Sequence, residues 1–263
     1  MNFLIIHNEQ NEKACRLKVK AQEVILQNGG TLTDKLDNCD FVISVGGDGT
    51  IIKAGKLASS AGKPLLGINA GRVGFSAELE ECEIENIAKL LSGDYHIEDR
   101  MLLDVCVQTS TQTHCFLAVN DAVISRGNLS RMIDLEVYLN EQPMVSYRAD
   151  GIVIASPTGS TAYSLSAGGP IIHPQMSCIV MSPICSHSLI SRAAVLGENS
   201  VLSICADSNL QDEQSYLTID GQESLGLSAT DRVIIKKADK TLKLAAIKER
   251  NFFKHVFEKL VQR

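Results

Sequence analysis

The amino-acid sequence predicts an α/β domain followed by a mostly antiparallel β domain, and three observations lead there. Strand and helix patterns alternate through the first third, short apolar strands separated by turns fill the chain from about residue 95, and an amphipathic stretch closes it. With 263 residues there is room for two cores of ordinary size, and 44% apolar against 21% charged residues is a globular composition, neither disordered nor fibrous.

Residues 2–6 form a short apolar strand. Residues 12–27 follow with Ala14, Leu17, Ala21, Val24 and Ile25 at helical spacing, closed by Asn28-Gly29-Gly30. Residues 41–45 are a continuous apolar run that stops at Gly46-Gly47-Asp48-Gly49. Residues 50–61 have helical character and 65–68 are again a strand. Such alternation implies a parallel sheet with helices on its faces, whose ligands sit beyond the carboxyl ends of the strands. The loops after Ile6, Val45 and Ile68 are therefore the ones to watch. Further strands are expected at 101–107, 115–124, 134–139, 144–147, 152–155, 201–205, 216–219 and 232–236. In the last stretch Phe252, Phe253, Val256, Phe257 and Leu260 share one helical face, which needs a partner surface; the α/β domain is the natural one.

Charge narrows the function. Twenty-five Lys and Arg against 31 Asp and Glu give a net charge of −6 with no clustered basic run, the opposite of the footprint a nucleic acid demands. The opening MNFLIIHNEQNEKACR has no basic start and too short an apolar run for a signal peptide or anchor, so a cytoplasmic protein is expected. Residues 151–191 lack any Asp, Glu, Lys or Arg, but Pro157, Pro170, Pro174 and Pro183 read as buried or ligand-facing chain and not as a membrane span. The eight cysteines form no zinc-spaced cluster, and most are expected to be reduced and packed in cores.

Three loops rich in glycine and hydroxyls carry the chemistry. Gly46-Gly47-Asp48-Gly49-Thr50 joins a buried strand to a helix; glycines let backbone N–H groups approach a phosphate, and the helix N-terminus favours negative charge. Asp48 among them suits a site that binds Mg²⁺ or takes a proton from an attacking hydroxyl, in preference to the plainer alternative of a tight turn with Asp48 as a helix cap. Asn120-Asp121 interrupts an apolar strand, as hydrogen-bonding groups for a ligand or as a bulge or buried pair. The third loop, residues 148–174, runs from Arg148 and Asp150 through Pro157-Thr158-Gly159-Ser160-Thr161-Ala162-Tyr163. Its small, uncharged hydroxyl-bearing side chains suit a nucleobase, or else a long structural crossover.

Together these stretches resemble the NAD kinase family. The match comprises GGDGT, an Asn-Asp/Glu pair at Asn120-Asp121, and the segment from Asp150 through TGSTAY and GGP to Pro174, with Gly67-Ile68-Asn69 and Gly71-Arg72-Val73-Gly74-Phe75 beside them, over most of residues 40–225. GGDGT is shared with diacylglycerol and sphingosine kinases, whereas TGSTAY…GGP is far more specific. The resemblance implies a Rossmann-like α/β domain (residues 1–97), a β-sandwich domain (98–238) and a C-terminal tail (239–263) that packs back on the first. It implies phosphorylation of the adenosine-ribose 2′-hydroxyl of NAD from ATP or inorganic polyphosphate with Mg²⁺, by a homodimer or homotetramer. Asp48 would be catalytic, with Gly46, Gly47, Gly49 and Thr50 at the donor phosphates. NAD would be held by Phe75 near adenine, Asn120 and Asp121 at ribose hydroxyls, and Thr158, Ser160, Thr161, Ala162, Tyr163 and Ser166 around the bases. Asp150 would meet the nicotinamide end, and Arg148 stands where relatives preferring NAD over NADH carry arginine. No metal ligand set is assigned. Asp121 stands where many members have Glu, one methylene longer.

Overall fold

The computed structural model describes residues 1–71, 77–127, 132–187, 191–207, 215–249 and 251–261. They divide into two units, Met1–Arg100 with Lys240–Arg263 and Met101–Asp239.

The first unit is a parallel sheet of β1 (Asn2–His7), β2 (Thr31–Leu32), β3 (Phe41–Gly46), β4 (Leu65–Asn69) and the end of β16 (Arg232–Ala246), in the order β2-β1-β3-β4-β16. β3 and β4 are buried along their whole length, which is why both read as unbroken apolar runs. Helix α1 (Glu12–Gln27) begins where the Asn11 side chain accepts the Ala14 N–H, and ends at Asn28 ahead of Gly29 in the left-handed region at φ 80°. Its Leu17, Ala21, Val24 and Ile25 pack with Phe3, Ile43, Val45, Leu66 and Ile68; each fully buried Leu or Ile contributes about 1.5–3 kcal/mol. Helix α2 (Asp48–Ser60) lies against Leu65 and Leu242 with Gly55 turned toward them; Leu65 alternates with Leu66, so α2 covers the other face. The unit is completed by α3 (Ala88–Ser92) and α5 (Phe252–Val261). On α5 only part of the expected face is covered: Val256 is fully buried while Phe253 and Phe257 are exposed.

The second unit is a β-sandwich. One layer is the six-stranded antiparallel sheet β12 (Ala194–Gly197), β11 (Cys178–Ile184), β10 (Gly151–Ala155), β7 (Asp121–Arg126), β14 (Ser215–Ile219) and β15 (Glu223–Leu227). The other holds β9 (Gln142–Ala149), β8 (Ile133–Leu139), β13 (Leu202–Asp207) and the start of β16, with β5 (His96–Gln108) and β6 (Thr113–Ala118). Alternate residues of both layers, among them Leu103, Val105, Ile124, Leu135, Ile152, Ile204 and Ile235, fill one core.

Three readings of the sequence are corrected. The single strand expected over 115–124 is two, β6 and β7, which belong to different layers; the apolar pattern runs through the break, so periodicity does not reveal that the ladder partners change. The strand expected at 232–236 continues to Ala246, and β11, β12 and β15 went unread, β11 because its uncharged stretch shows no alternation. Of the cysteines, Cys106 and Cys115 face each other across β5 and β6 and form a disulfide, and among the rest only Cys39 and Cys178 are buried. A spacing of nine residues does not tell which cysteines a hairpin register brings opposite one another.

Candidate functional site

In the first unit the strand order reverses between β1 and β3, since β2 lies on the far side of β1. The crevice beyond the carboxyl ends of such strands is where a doubly wound sheet receives ligands. The Gly46–Thr50 stretch stands there, with Gly46 ending β3 and Asp48, Gly49 and Thr50 already in the first turn of α2, which begins two residues ahead of the expected position 50. A Cβ on Gly46 would fall 2.4 Å from Thr50 Oγ1, and one on Gly71 would fall 3.2 Å from the Gly47 Cα, so the backbones of the two loops touch. The Ala70 N–H donates to the Gly46 carbonyl at 3.0 Å, the Asn69 Oδ1 accepts the Gly71 N–H at 2.9 Å, and the Asn69 amide is held by the Glu80 carboxylate at 3.0 Å. Gly47, not Asp48, occupies the cap of α2 and has no side chain to offer; Asp48 is the first helical residue, half-buried. The N-cap position thus belongs to Gly47 and not to Asp48.

In the second unit the chain crosses between layers at Val119 and Asn120. Here three successive amides leave their ladders, and a buried N–H left unpaired costs about 1–3 kcal/mol. The Asp220 carboxylate takes all three: Val119 at 3.1 Å, Asn120 at 2.7 Å and Asp121 at 3.1 Å. Asp220 opens the three-residue β14–β15 loop, 220–222, at φ 51° with Gly221 also left-handed at φ 67°, and the Gln222 N–H closes the turn on the Ile219 carbonyl at 2.9 Å.

The loop after β10 locks onto the same crossing. Ser156 donates its hydroxyl to the Val119 carbonyl at 2.6 Å and its N–H to the Asn120 carbonyl at 2.8 Å. Gly159 lies so close that a Cβ would be 2.0 Å from the Asn120 oxygen. Ser160 is fully buried, accepting the Ile172 N–H at 3.0 Å and donating to the Pro157 carbonyl at 2.7 Å, and Ser164 bonds Ser182 at 3.0 Å. The hydroxyls of this uncharged stretch fasten it over an apolar patch of Val123, Val153, Ala155, Cys178 and Val180, which seats α4 (Tyr163–Ser166) beside the crossing.

Between them lies a cavity of about 360 Å³ lined by Asn120, Asp121, Val123, Ser125, Ala162, Tyr163, Thr218, Asp220 and Gly221. It brings together four residues expected from the sequence, Asn120, Asp121, Ala162 and Tyr163. The others stand elsewhere: Ser160 is spent on the loop, Thr161 is buried beneath it, Ser166 and Arg148 are exposed, and Asp150 is paired with the Arg126 guanidinium at 3.0 Å. Thr158 Oγ1 is buried without a partner among the described residues. Phe75 lies outside the described residues, as do Arg72, Val73 and Gly74. Val123, Ser125 and Thr218 were missed; the alternation of β7, with Ala122 and Ile124 in the core, put Val123 and Ser125 on the face of Asp121 and was the available signal.

Burial, reinforced by the neighbouring Asp220 charge, pushes the Asp121 carboxyl up to about 7 from 3.8. A raised carboxyl favours the protonated folded state, so its contribution is complete below the unfolded value and is lost as pH rises from about 4 toward 7. We predict that stability falls across that window by about 1.4 kcal/mol per pH unit from this residue, and that Asp121→Asn flattens the slope. Urea unfolding at pH 4.5, 5.5 and 6.5 measures it; parallel wild-type and variant slopes would discard the assignment.

Comparison with known proteins places these features. The family model for the ATP-NAD kinase N-terminal domain matches residues 7–98, and that for the ATP-NAD kinase C-terminal domain matches residues 119–247. An NAD kinase of Caldanaerobacter subterraneus subsp. tengcongensis is 38% identical over 265 aligned positions that take in 100% of this chain and 92% of that one. Among solved structures, yeast NADH kinase complexed with NADH superposes with a TM-score of 0.86 at 23% identity, covering 100% of this chain and 87% of its own. An NAD kinase from Archaeoglobus fulgidus in complex with ATP gives 0.81 at 22% identity with both chains covered in full. At such identities the two structures speak for the fold.

Proposed function

The chain belongs to the NAD kinase family, and from that premise we propose that it transfers a phosphoryl group from ATP or inorganic polyphosphate to the adenosine-ribose 2′-hydroxyl of NAD, yielding NADP. The observation that carries this reading is the cavity at Asn120 and Asp121. Two adjacent side chains rich in hydrogen-bonding capacity are presented there beside the small Ala162 and the half-exposed Tyr163 ring, an arrangement suited to a ribose and a base.

A ribose hydroxyl is a poor nucleophile at neutral pH, so transfer needs a proton acceptor and firm orientation. In this reading Asn120 and Asp121 hold the ribose and Asp48 accepts the 2′-hydroxyl proton. The oxygen then bonds to the terminal phosphorus of the donor as the bridging P–O bond breaks, and ADP or the shortened polyphosphate leaves. The Gly46–Thr50 backbone and the N-terminus of α2 receive the donor phosphates. No group of three or more potential metal ligands occurs among the described residues. A single carboxylate such as Asp48 together with substrate phosphates is nevertheless a donor set that Mg²⁺ uses, so the site fits the cation the reaction calls for. Bound there, it would neutralise charge on the transferred group. Thr158, whose hydroxyl has no partner among the described residues, Thr161 and Ser166 border the base, Asp150 meets the nicotinamide end, and Arg148 favours the oxidised dinucleotide.

We further read the protein as a cytoplasmic homodimer or homotetramer; the exposed Phe253 and Phe257 on α5 are the apolar surface that an association would cover. No described helix is long and apolar enough to cross a membrane.

Incubation with NAD and Mg²⁺, separately with ATP and with polyphosphate, is expected to give NADP with at least one donor, resolved by chromatography; NADH in place of NAD reports the redox preference. Retained NAD binding with no NADP from either donor would leave a dinucleotide-binding protein and no kinase.

A further inference from the structure

We propose that Asp220 is a positioning residue for the nucleotide pocket, gripping the amides of residues 119–121 so that Asn120 and Asp121 are aimed at the ribose. The inference rests on the reading of that pocket given above.

The grip is reciprocal, since the Asp220 N–H donates to the Asp121 carbonyl at 2.9 Å while its carboxylate takes the Asn120 and Asp121 amides. Asp220 therefore fixes the backbone of the pair from both sides, at the one place where β6 and β7 part to different layers. A hairpin turn with this backbone is served as well by asparagine or glycine. Neither offers a carboxylate: glycine offers no acceptor, and asparagine has a single oxygen plus an NH₂ that would face the Val119 N–H donor to donor. Only an ionised aspartate satisfies three N–H groups at once, through charge-assisted bonds. The choice of Asp over Asn in this turn is thus accounted for by what the side chain holds and not by the turn.

The carboxylate also faces Asp121. The titratable groups lining the cavity are Asp121, Tyr163 and Asp220, and Arg126, further along β7, is engaged by Asp150. Buried from solvent and, to a lesser extent, facing the Asp220 charge, Asp121 spends much of its time protonated near neutral pH and can donate a hydrogen bond to a ribose oxygen, which an ionised carboxylate cannot. Asp220 thereby sets the aim of its neighbour and adds to the burial that favours its protonated form.

Asp220→Asn tests this, because asparagine accepts the left-handed backbone and changes only the hold and the charge. The expected result is a KM for NAD raised tenfold or more with kcat within about threefold, the signature of lost ground-state positioning. The limb of the kcat/KM profile that reports Asp121 should move from near pH 7 toward the ordinary carboxylate range, and adding Asp220→Asn to Asp121→Asn should shift no limb further. An unchanged KM and an unchanged profile in a folded Asp220→Asn would overturn the inference. Wild-type protein that makes no NADP indicts the functional reading instead. If the variant does not fold, hydrogen exchange on the wild-type chain decides: slow exchange of the 119–121 amides supports the grip, and exchange at the rate of an exposed loop overturns it.

Discussion

Asp48→Asn is expected to bind NAD with wild-type affinity and to turn over at about one-hundredth of the wild-type rate or less. Asparagine matches aspartate in shape, and Asp48 is the first residue of α2 with Gly47 at the cap, so the change leaves the helix start intact. In the proposed mechanism, what it removes is the group that takes the proton of the attacking hydroxyl. Such an interaction is made in the transition state, so kcat should carry the loss and KM should not. Calorimetric titration with NAD and single-turnover measurement of NADP separate the two. Turnover within tenfold of wild type would remove Asp48 from the mechanism.

Gly159→Ala is expected to destabilise the protein by about 3 kcal/mol or more and to weaken NAD binding over tenfold. The added methyl would lie 2.0 Å from the Asn120 oxygen, 2.4 Å from its carbonyl carbon and 2.7 Å from its Cα. These are backbone atoms, so no rotamer change gives way; either the loop after β10 or the crossing must move, and both line or support the cavity. Gly197→Ala is the matched control, since nothing lies within 4 Å of its added Cβ, and its effect should stay within about 0.5 kcal/mol. Thermal melts and NAD titration of the two variants, side by side, make the comparison. Equal behaviour would mean that the contact at Asn120 relaxes freely.

The first third of the fold was legible because local signals agreed: the α1 periodicity, Gly29 past its end, and the apolar runs of β3 and β4 each pointed to one element. The second unit was harder. Its strands could be counted from alternation, but the polar break at Asn120-Asp121 reads as a ligand site or a bulge and not as a change of layer, and the carboxylate that takes the freed amides lies a hundred residues away. The strand expected at 232–236 stopped short because the apolar alternation of Val233 and Ile235 breaks off at Lys236 and Lys237, whereas β16 runs on with Ala238 and Leu242 buried in a shifted phase. For the site, Asn120, Asp121, Ala162 and Tyr163 were visible as polar or small residues in conspicuous places. The fastening role of Ser160 was not, since a hydroxyl that donates inward and one that faces a ligand are the same letter. Nor does the dipeptide Asp220-Gly221, a turn former by composition, show where the aspartate side chain points.

The crossing at Val119 and Asn120, clasped by Ser156 and Gly159 from one direction and by Asp220 from the other, bears on how this chain can be recombined. A chimera that swaps in a distant homologue at any junction between residues 121 and 219 would pair the clasp of one parent with the chain of another. Junctions are better placed ahead of residue 119 or beyond residue 222, so that the three pieces are inherited as one block.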